Sequence, residues 1–438
     1  MDEKDRFLGC LLGLATGDAV GTALEFQPPG SFTPISDMVG GGPFDLAPGE
    51  WTDDTSMALC LATSLVETGR FDAADQMSRY CRWVEEGYLS SNGRCVDIGG
   101  AVSAALRRFQ ETGDPFAGAT DHRTAGNGCI MRLALVPMFC YPDEVLPDKY
   151  AAESSRTTHG AAACMDACRL LAGILIRALA GHAKEDVLFA AGSNFTGSAN
   201  IVAIARGEYR NKAAGEIRGT GYVVKSLEAA LWCFLGTETF EEAILRAANL
   251  GDDADTTAAV CGQVAGAYYR APGIPERWLE RLVMRQQIAD LAHRLFVRGP
   301  GALGILPRMR DQRRVALPTS WKTKPMNSQV ARLPFQKTYS AAEFAVIARG
   351  NIPESMDDRW FAYMQAEVLY IHRSWTGICI YQVRFQEEGG CFVVKEALAE
   401  RDSAEYDSAD AEYDAAVLNY LIDGWLGKSS RFPTRPRK

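Results

Sequence analysis

Residues 161–180 and 256–269 carry apolar side chains on nearly every face of a helical period. A helix that is apolar all round has no side to offer to water, so it must be enclosed by neighbours. Most of residues 5–296 repeats apolar residues at helical spacing. Residues 55–66 do so clearly, and Gly69 follows as a stop signal. The small residues Ala258, Ala259, Gly262 and Ala267 allow helices to approach closely. These features predict an all-α core of many helices, with a site built by loops that join distant parts of the chain at one end.

Two acidic stretches interrupt this apolar pattern: Trp51-Thr52-Asp53-Asp54-Thr55 and Gly251-Asp252-Asp253-Ala254-Asp255-Thr256-Thr257. Each opens a helical run, where one Thr or Asp oxygen would serve as an N-cap and complement the helix dipole. A cap needs one oxygen, however, and these stretches hold five Asp and four Thr. Gathered carboxylates repel and raise one another's pKa unless a cation neutralises them. With oxygen as the only donor, the expected cation is a hard divalent ion.

Further tags follow in order. Gly9-Cys10-Leu11-Leu12-Gly13-Leu14-Ala15-Thr16-Gly17-Asp18-Ala19 precedes Glu25 and the first acidic stretch. Asp97-Ile98-Gly99, Gly126-Asn127-Gly128-Cys129-Ile130-Met131-Arg132, Thr158-His159, Gly221-Tyr222-Val223-Val224 and Ala230-Leu231-Trp232 come next. Asn249-Leu250-Gly251 leads into the second acidic stretch, and Ile274-Pro275 and Trp278 close the series. In this order, over residues 6–296, the pattern resembles the ADP-ribosylglycohydrolase family.

The resemblance implies an all-α multi-helix core and a centre of two divalent cations, Mg2+ or Mn2+, held by Thr52, Asp53, Asp54, Asp253, Asp255 and Thr256. Asp and Thr supply only oxygen, and two adjacent ions need bridging carboxylates from opposite sides. If the segment is extended, the alternation Asp253-Ala254-Asp255 would project two carboxylates to one face. Asp252 is expected to face solvent or support the site. Glu25 would bind an ion or position the attacking water. Asp97, otherwise an N-cap for the helix that follows it, would contact a substrate guanidinium, and Asp54 joins these two as a catalytic candidate.

ADP-ribose brings a diphosphate that an acidic pocket would repel. Gly126, Asn127, Gly128, Cys129, Ile130 and Met131 are expected to cradle it, with the glycines freeing backbone amides before a helix begins. Alternatively the glycines serve a tight turn. His159 and Tyr222 are expected on the adenosine side, Tyr222 through its ring face.

The expected reaction is hydrolysis at C1 of the distal ribose, with a modified protein arginine as preferred substrate and ADP-ribose as product. Serine-linked, nucleic-acid-linked and free ADP-ribose derivatives stay open. So does a different class, an immunity protein that occludes an ADP-ribosyltransferase toxin.

Composition narrows the setting. A net charge of -9 argues against a nucleic-acid binder. The acidic start and the absence of an apolar run of transmembrane length predict a cytoplasmic protein without membrane contact. Twelve scattered cysteines without metal spacing read as reduced thiols, several of them buried. Residues 1–297 form the expected catalytic domain. Residues 298–336, rich in Pro, Gly and basic side chains, are expected to be a linker or strap. Residues 337–438 turn aromatic and β-branched before an amphipathic run from Tyr413 to Leu426, predicting a small α+β domain with a basic tail after Arg431.

Overall fold

The computed structural model describes residues 2–438 except 144, 191, 193, 299–315, 328, 354–358, 403–405, 407–409, 427–432 and 434–438. Contacts divide the chain into two units, Met1–Pro300 and Gly301–Lys438.

The first unit is helical, and its centre is a pair of antiparallel helices, α1 (Asp2–Gly21) and the helix Ala254–Tyr269. Four glycines spaced one turn apart on α1 set how close they come. A Cβ on Gly9 would lie 2.2 Å from the Gly266 carbonyl oxygen, and one on Gly13 2.4 Å from that of Gly262. On Gly17 it would lie 2.2 Å from the oxygen of Ala258, and on Gly21 2.4 Å from that of Ala254. No larger residue fits, so the backbones touch and the register is locked. The end of α1, with Asp18, therefore lies beside the start of its partner, with Asp255. Helices α2 (Asp53–Thr68) and Ala162–Leu179 pack in the same core, which holds Trp51, Leu59, Leu171 and Val264 among its buried residues.

The apolar run of α1 extends further than the sequence reading allowed. Glu3–Leu24 is long and apolar enough to cross a membrane by length and composition, which corrects that expectation. Most of it is buried inside protein, as a central core helix must be. α2 ends as expected at Gly69, in the left-handed region at φ 67°. All twelve cysteines are free thiols, nine of them buried.

In the second unit six strands form an antiparallel sheet: β1 (Val330–Arg332), β2 (Thr338–Ser340), β3 (Trp360–Gln365), β4 (Val368–Arg373), β5 (Cys379–Glu388) and β6 (Cys391–Glu400). The order is β1-β6-β5-β4-β3, with β2 also on β6. The helices Ala341–Ile347 and Ala411–Trp425 contribute to a core with Ile371, Ile380, Val383 and Leu418. The Arg401–Asp414 ion pair (2.7 Å) is buried at Asp414, which also accepts from the Tyr406 hydroxyl at 2.7 Å.

Part of the segment 298–336, expected as a linker or strap, carries regular structure. Val330 to Arg332 pair with Glu400 to Leu398, and Ala316 is buried with Phe361 and Tyr363. Ala316 and Val330–Arg332 are thus built into the second unit's own core and sheet. Short three-residue pairings carry no visible period, which is why the composition read as a linker. Residues 299–315 and most of the basic tail lie outside the described residues.

Candidate active site

Asp18 organises the acidic end. Its Oδ1 accepts from the Thr52 amide and hydroxyl, both at 2.9 Å, and its Oδ2 from the Thr55 amide at 3.0 Å and hydroxyl at 2.6 Å. Asp18 thus caps α2 from outside, while Thr52, at the N-cap position, makes no cap bond with its own side chain. Cap chemistry is therefore not what the acidic stretch supplies. The Thr52 hydroxyl also lies 3.2 Å from Asp255 Oδ2 and 3.3 Å from Asp54 Oδ2, with one proton for three carboxylates. Thr256 Oγ1 approaches Asp54 Oδ2 at 3.4 Å.

Carboxylate oxygens of Asp18, Asp54 and Asp255 lie within 4.8 Å of one another, and so do those of Glu25, Asp97 and Asp255. Asp255 belongs to both trios. Asp54 Oδ1 and Glu25 Oε2 are buried without a hydrogen-bond partner, although burying an unpaired carboxylate oxygen is costly. Burial, with Asp97 next, pushes Glu25 up to about 9. Burial and the neighbouring acids hold Asp53, Asp54 and Asp255 well above the usual range, and burial raises Asp97 and Asp18. So many groups cannot ionise together without a counter-charge. The donor set is oxygen only, with orphaned atoms in each trio and a shared carboxylate, so it fits two hard divalent ions.

The expected ligands separate within this geometry. Asp54 and Asp255 join the trios, Thr52 and Thr256 bond to them, and Asp53 is buried beside them but in neither. Asp253 is in neither trio; it accepts from Asn127 Nδ2 at 3.0 Å. The proposed alternation is also corrected, because the helix begins at Ala254 and Asp255 sits in its first turn. Glu25 is 2% exposed. Asp252 pairs with Arg218 at 3.4 Å. Asp97 does not cap the following helix, Gly100–Thr112, whose N-cap is Gly99. It accepts from its neighbour Ile98 at 2.9 Å and takes φ 52°, a strained value for a non-glycine residue. The candidate ligand that the sequence reading missed is Asp18. Its signal was a lone charge inside the apolar face of α1.

The Gly126 loop is tied to the second acidic stretch. Asn127 N–H donates to the Gly221 carbonyl at 3.0 Å, and Gly126 bridges Tyr222. Asn127 Nδ2 also reaches Ser226 at 3.2 Å. The cradle expectation narrows here. The amides of Gly126, Asn127, Ile130 and Met131 are bonded within the protein, and of this loop's six amides those of Gly128 and Cys129 make no hydrogen bond with the described residues. Nor does a helix follow directly, since the next one is Leu135–Cys140. His159 explains the glycines. A Cβ on Gly128 would lie 2.9 Å from its ring carbon, and one on Gly126 3.1 Å from Nε2. His159, expected to offer an adenosine contact, is 2% exposed and supports the loop from beneath. Its Nδ1 is 2.8 Å from the Thr158 hydroxyl, and burial pushes its pKa down to about 4. Tyr222 is 40% exposed, with ring surface open to a ligand.

Comparison with known proteins agrees with this architecture. The ADP-ribosylglycohydrolase family model matches residues 1–302. An ADP-ribosylarginine hydrolase, Tri1, of Pseudomonas putida is 47% identical over 296 residues, covering 68% of this chain and 79% of that one. The ADP-ribosyl-[dinitrogen reductase] glycohydrolase of Rhodospirillum rubrum is 31% identical over 287 residues, covering 64% and 91%. A solved structure described as an ADP-ribosylglycohydrolase-related protein complex aligns with TM-score 0.61 and 42% identity, covering 68% of this chain and 99% of that chain. The chain belongs to the ADP-ribosylglycohydrolase family and is an enzyme of that family.

Proposed function

We propose that this chain is a metal-dependent hydrolase that releases ADP-ribose from modified arginine side chains. The observation that carries the reading is the pair of carboxylate trios sharing Asp255. Relatives named as ADP-ribosylarginine hydrolases, at 47% and 44% identity, support arginine as the acceptor.

Asp18, Thr52, Asp54 and Asp255 would hold one cation, and Glu25, Asp97 and Asp255 the other. When bound, such ions neutralise the carboxylates and acidify a bound water. The residues of the chain divide the remaining work. The amides of Gly128 and Cys129 receive the diphosphate, and the Tyr222 ring stacks on the adenine. Asp97 faces the guanidinium with a charge-assisted hydrogen bond. Glu25 accepts a proton from the attacking water. Water oxygen then bonds to C1 as the C1–nitrogen bond breaks, and the departing guanidine nitrogen takes up the proton. Positive charge developing at C1 is stabilised by the surrounding carboxylates.

The test offers arginine-linked and serine-linked ADP-ribose peptides, with added Mg2+ or Mn2+ and with chelator, and identifies products by mass spectrometry. Metal-dependent release from arginine supports the reading. Release from serine alone, or release undiminished by chelator, contradicts it. Protection against a transferase that survives Asp255→Ala would favour occlusion instead.

A further inference from the structure

Arg132 is fully buried and pairs with no carboxylate among the described residues. Its guanidinium donates to the Gly128 carbonyl at 2.6 Å and the Thr158 hydroxyl at 2.7 Å, with the Ser154 carbonyl and Thr157 hydroxyl at 3.3 Å. It lies 5.1 Å from the centre of the Tyr80 ring, and its Nε has no partner. A buried cation surrounded by neutral acceptors is expensive, and the usual remedy is a carboxylate alongside. Structural support for the loop does not need a full charge.

The shortest of these bonds goes to the carbonyl of one particular peptide group. The Gly128 carbonyl and the Cys129 amide belong to the same peptide unit, and Cys129 N–H is one of the two loop amides left unbonded. A cationic donor on the carbonyl draws electron density from the amide and makes its N–H a stronger donor. The same guanidinium bonds Thr158, whose hydroxyl meets His159 Nδ1 at 2.8 Å, and the His159 ring packs under Gly126 and Gly128.

We propose that Arg132 is a positioning residue for the diphosphate: it polarises the Gly128–Cys129 peptide and fixes its tilt from beneath, without touching the ligand. This rests on the reading of the loop as the diphosphate site. It predicts that Arg132 matters in proportion to the phosphate carried by the ligand.

The experiment measures binding of ADP-ribose and of adenosine by calorimetry, with Mg2+ present, to the full-length protein, Arg132→Met and Arg132→Lys. In Arg132→Met the preference for ADP-ribose over adenosine should fall by about two- to fivefold, as expected when the loop amide's bond to the diphosphate weakens by roughly 10–30% rather than being lost. Arg132→Lys keeps the charge and should restore part of the preference. Equal weakening of both ligands would mean a structural role, and an unchanged preference would overturn the inference. If Arg132→Met does not fold, Arg132→Lys decides together with the Cys129 amide proton resonance. That resonance should move upfield and the preference fall; if neither changes, the proposal fails. A native protein that binds adenosine as tightly as ADP-ribose would instead refute the loop as a diphosphate site.

Discussion

Asp255 is the residue whose removal has the most distinctive consequence, because its carboxylate serves both trios. Changing Asp255 to Asn keeps the shape but removes one negative charge from each. Both cation sites weaken together, and the stoichiometry should fall from two ions to at most one. Turnover should drop by at least about a thousandfold, since each factor of ten corresponds to about 1.4 kcal/mol and two ions lose a ligand. Stability without metal should move the other way. Burial and neighbouring acids hold Asp255 well above the usual range, so its ionised form opposes folding of the metal-free protein. Removing it should stabilise that form by about 1–3 kcal/mol. The assays are metal analysis of the dialysed protein, turnover of ADP-ribosylarginine, and thermal unfolding with chelator. A chelated variant that melts below the chelated native protein would refute the reasoning, as would turnover within tenfold of native.

Asp18→Ala should differ, because Asp18 also caps α2; it should lose turnover and about 1–2 kcal/mol of stability, read by denaturant unfolding. His159 is held at about 4 in the folded state against an ordinary 6.5, so the unfolded chain binds the proton more tightly. Stability should therefore fall as pH drops from about 6.5 towards 4, by about 3 kcal/mol at the lower end, and His159→Gln should remove that share of the slope. Gly13→Val would press a side chain against the Gly262 carbonyl and should prevent accumulation of folded protein, whereas Gly69→Asn at the end of α2 should express and melt normally. A chain ending at Arg298 retains every residue of the site and should hydrolyse ADP-ribosylarginine; loss of turnover with the helical circular dichroism retained would show that the second unit contributes to the chemistry.

The core was legible because its helices are long and their periodicity is strong. The runs read as residues 161–180 and 256–269 became the helices Ala162–Leu179 and Ala254–Tyr269. The acidic stretches were legible because so many carboxylates are improbable without a partner. What the sequence did not reveal depends on contacts across the fold. Asp18 lies on a helix that reads as plain core, and its role follows from meeting Thr52 and Thr55 more than thirty residues away. The packing of His159 under Gly126 and Gly128 was not legible because that loop lies some thirty residues away. Strand β1 is too short for alternation to register and exists because β6 offers it an edge.

The glycine seam between α1 and the Ala254 helix gives the site a ruler made of backbone. Sliding one helix past the other by a single turn, about 5.4 Å, would part Asp18 from Asp255 and disrupt four close contacts at once. The two helices therefore behave as one anvil, and the spacing of the carboxylates is insulated from events at the surface. Adaptation to a new acceptor has to come from the segments strung between the helices, such as the stretch from Gln27 to Glu50. Those segments can be lengthened, shortened or reshaped while the carboxylates behind them keep their positions.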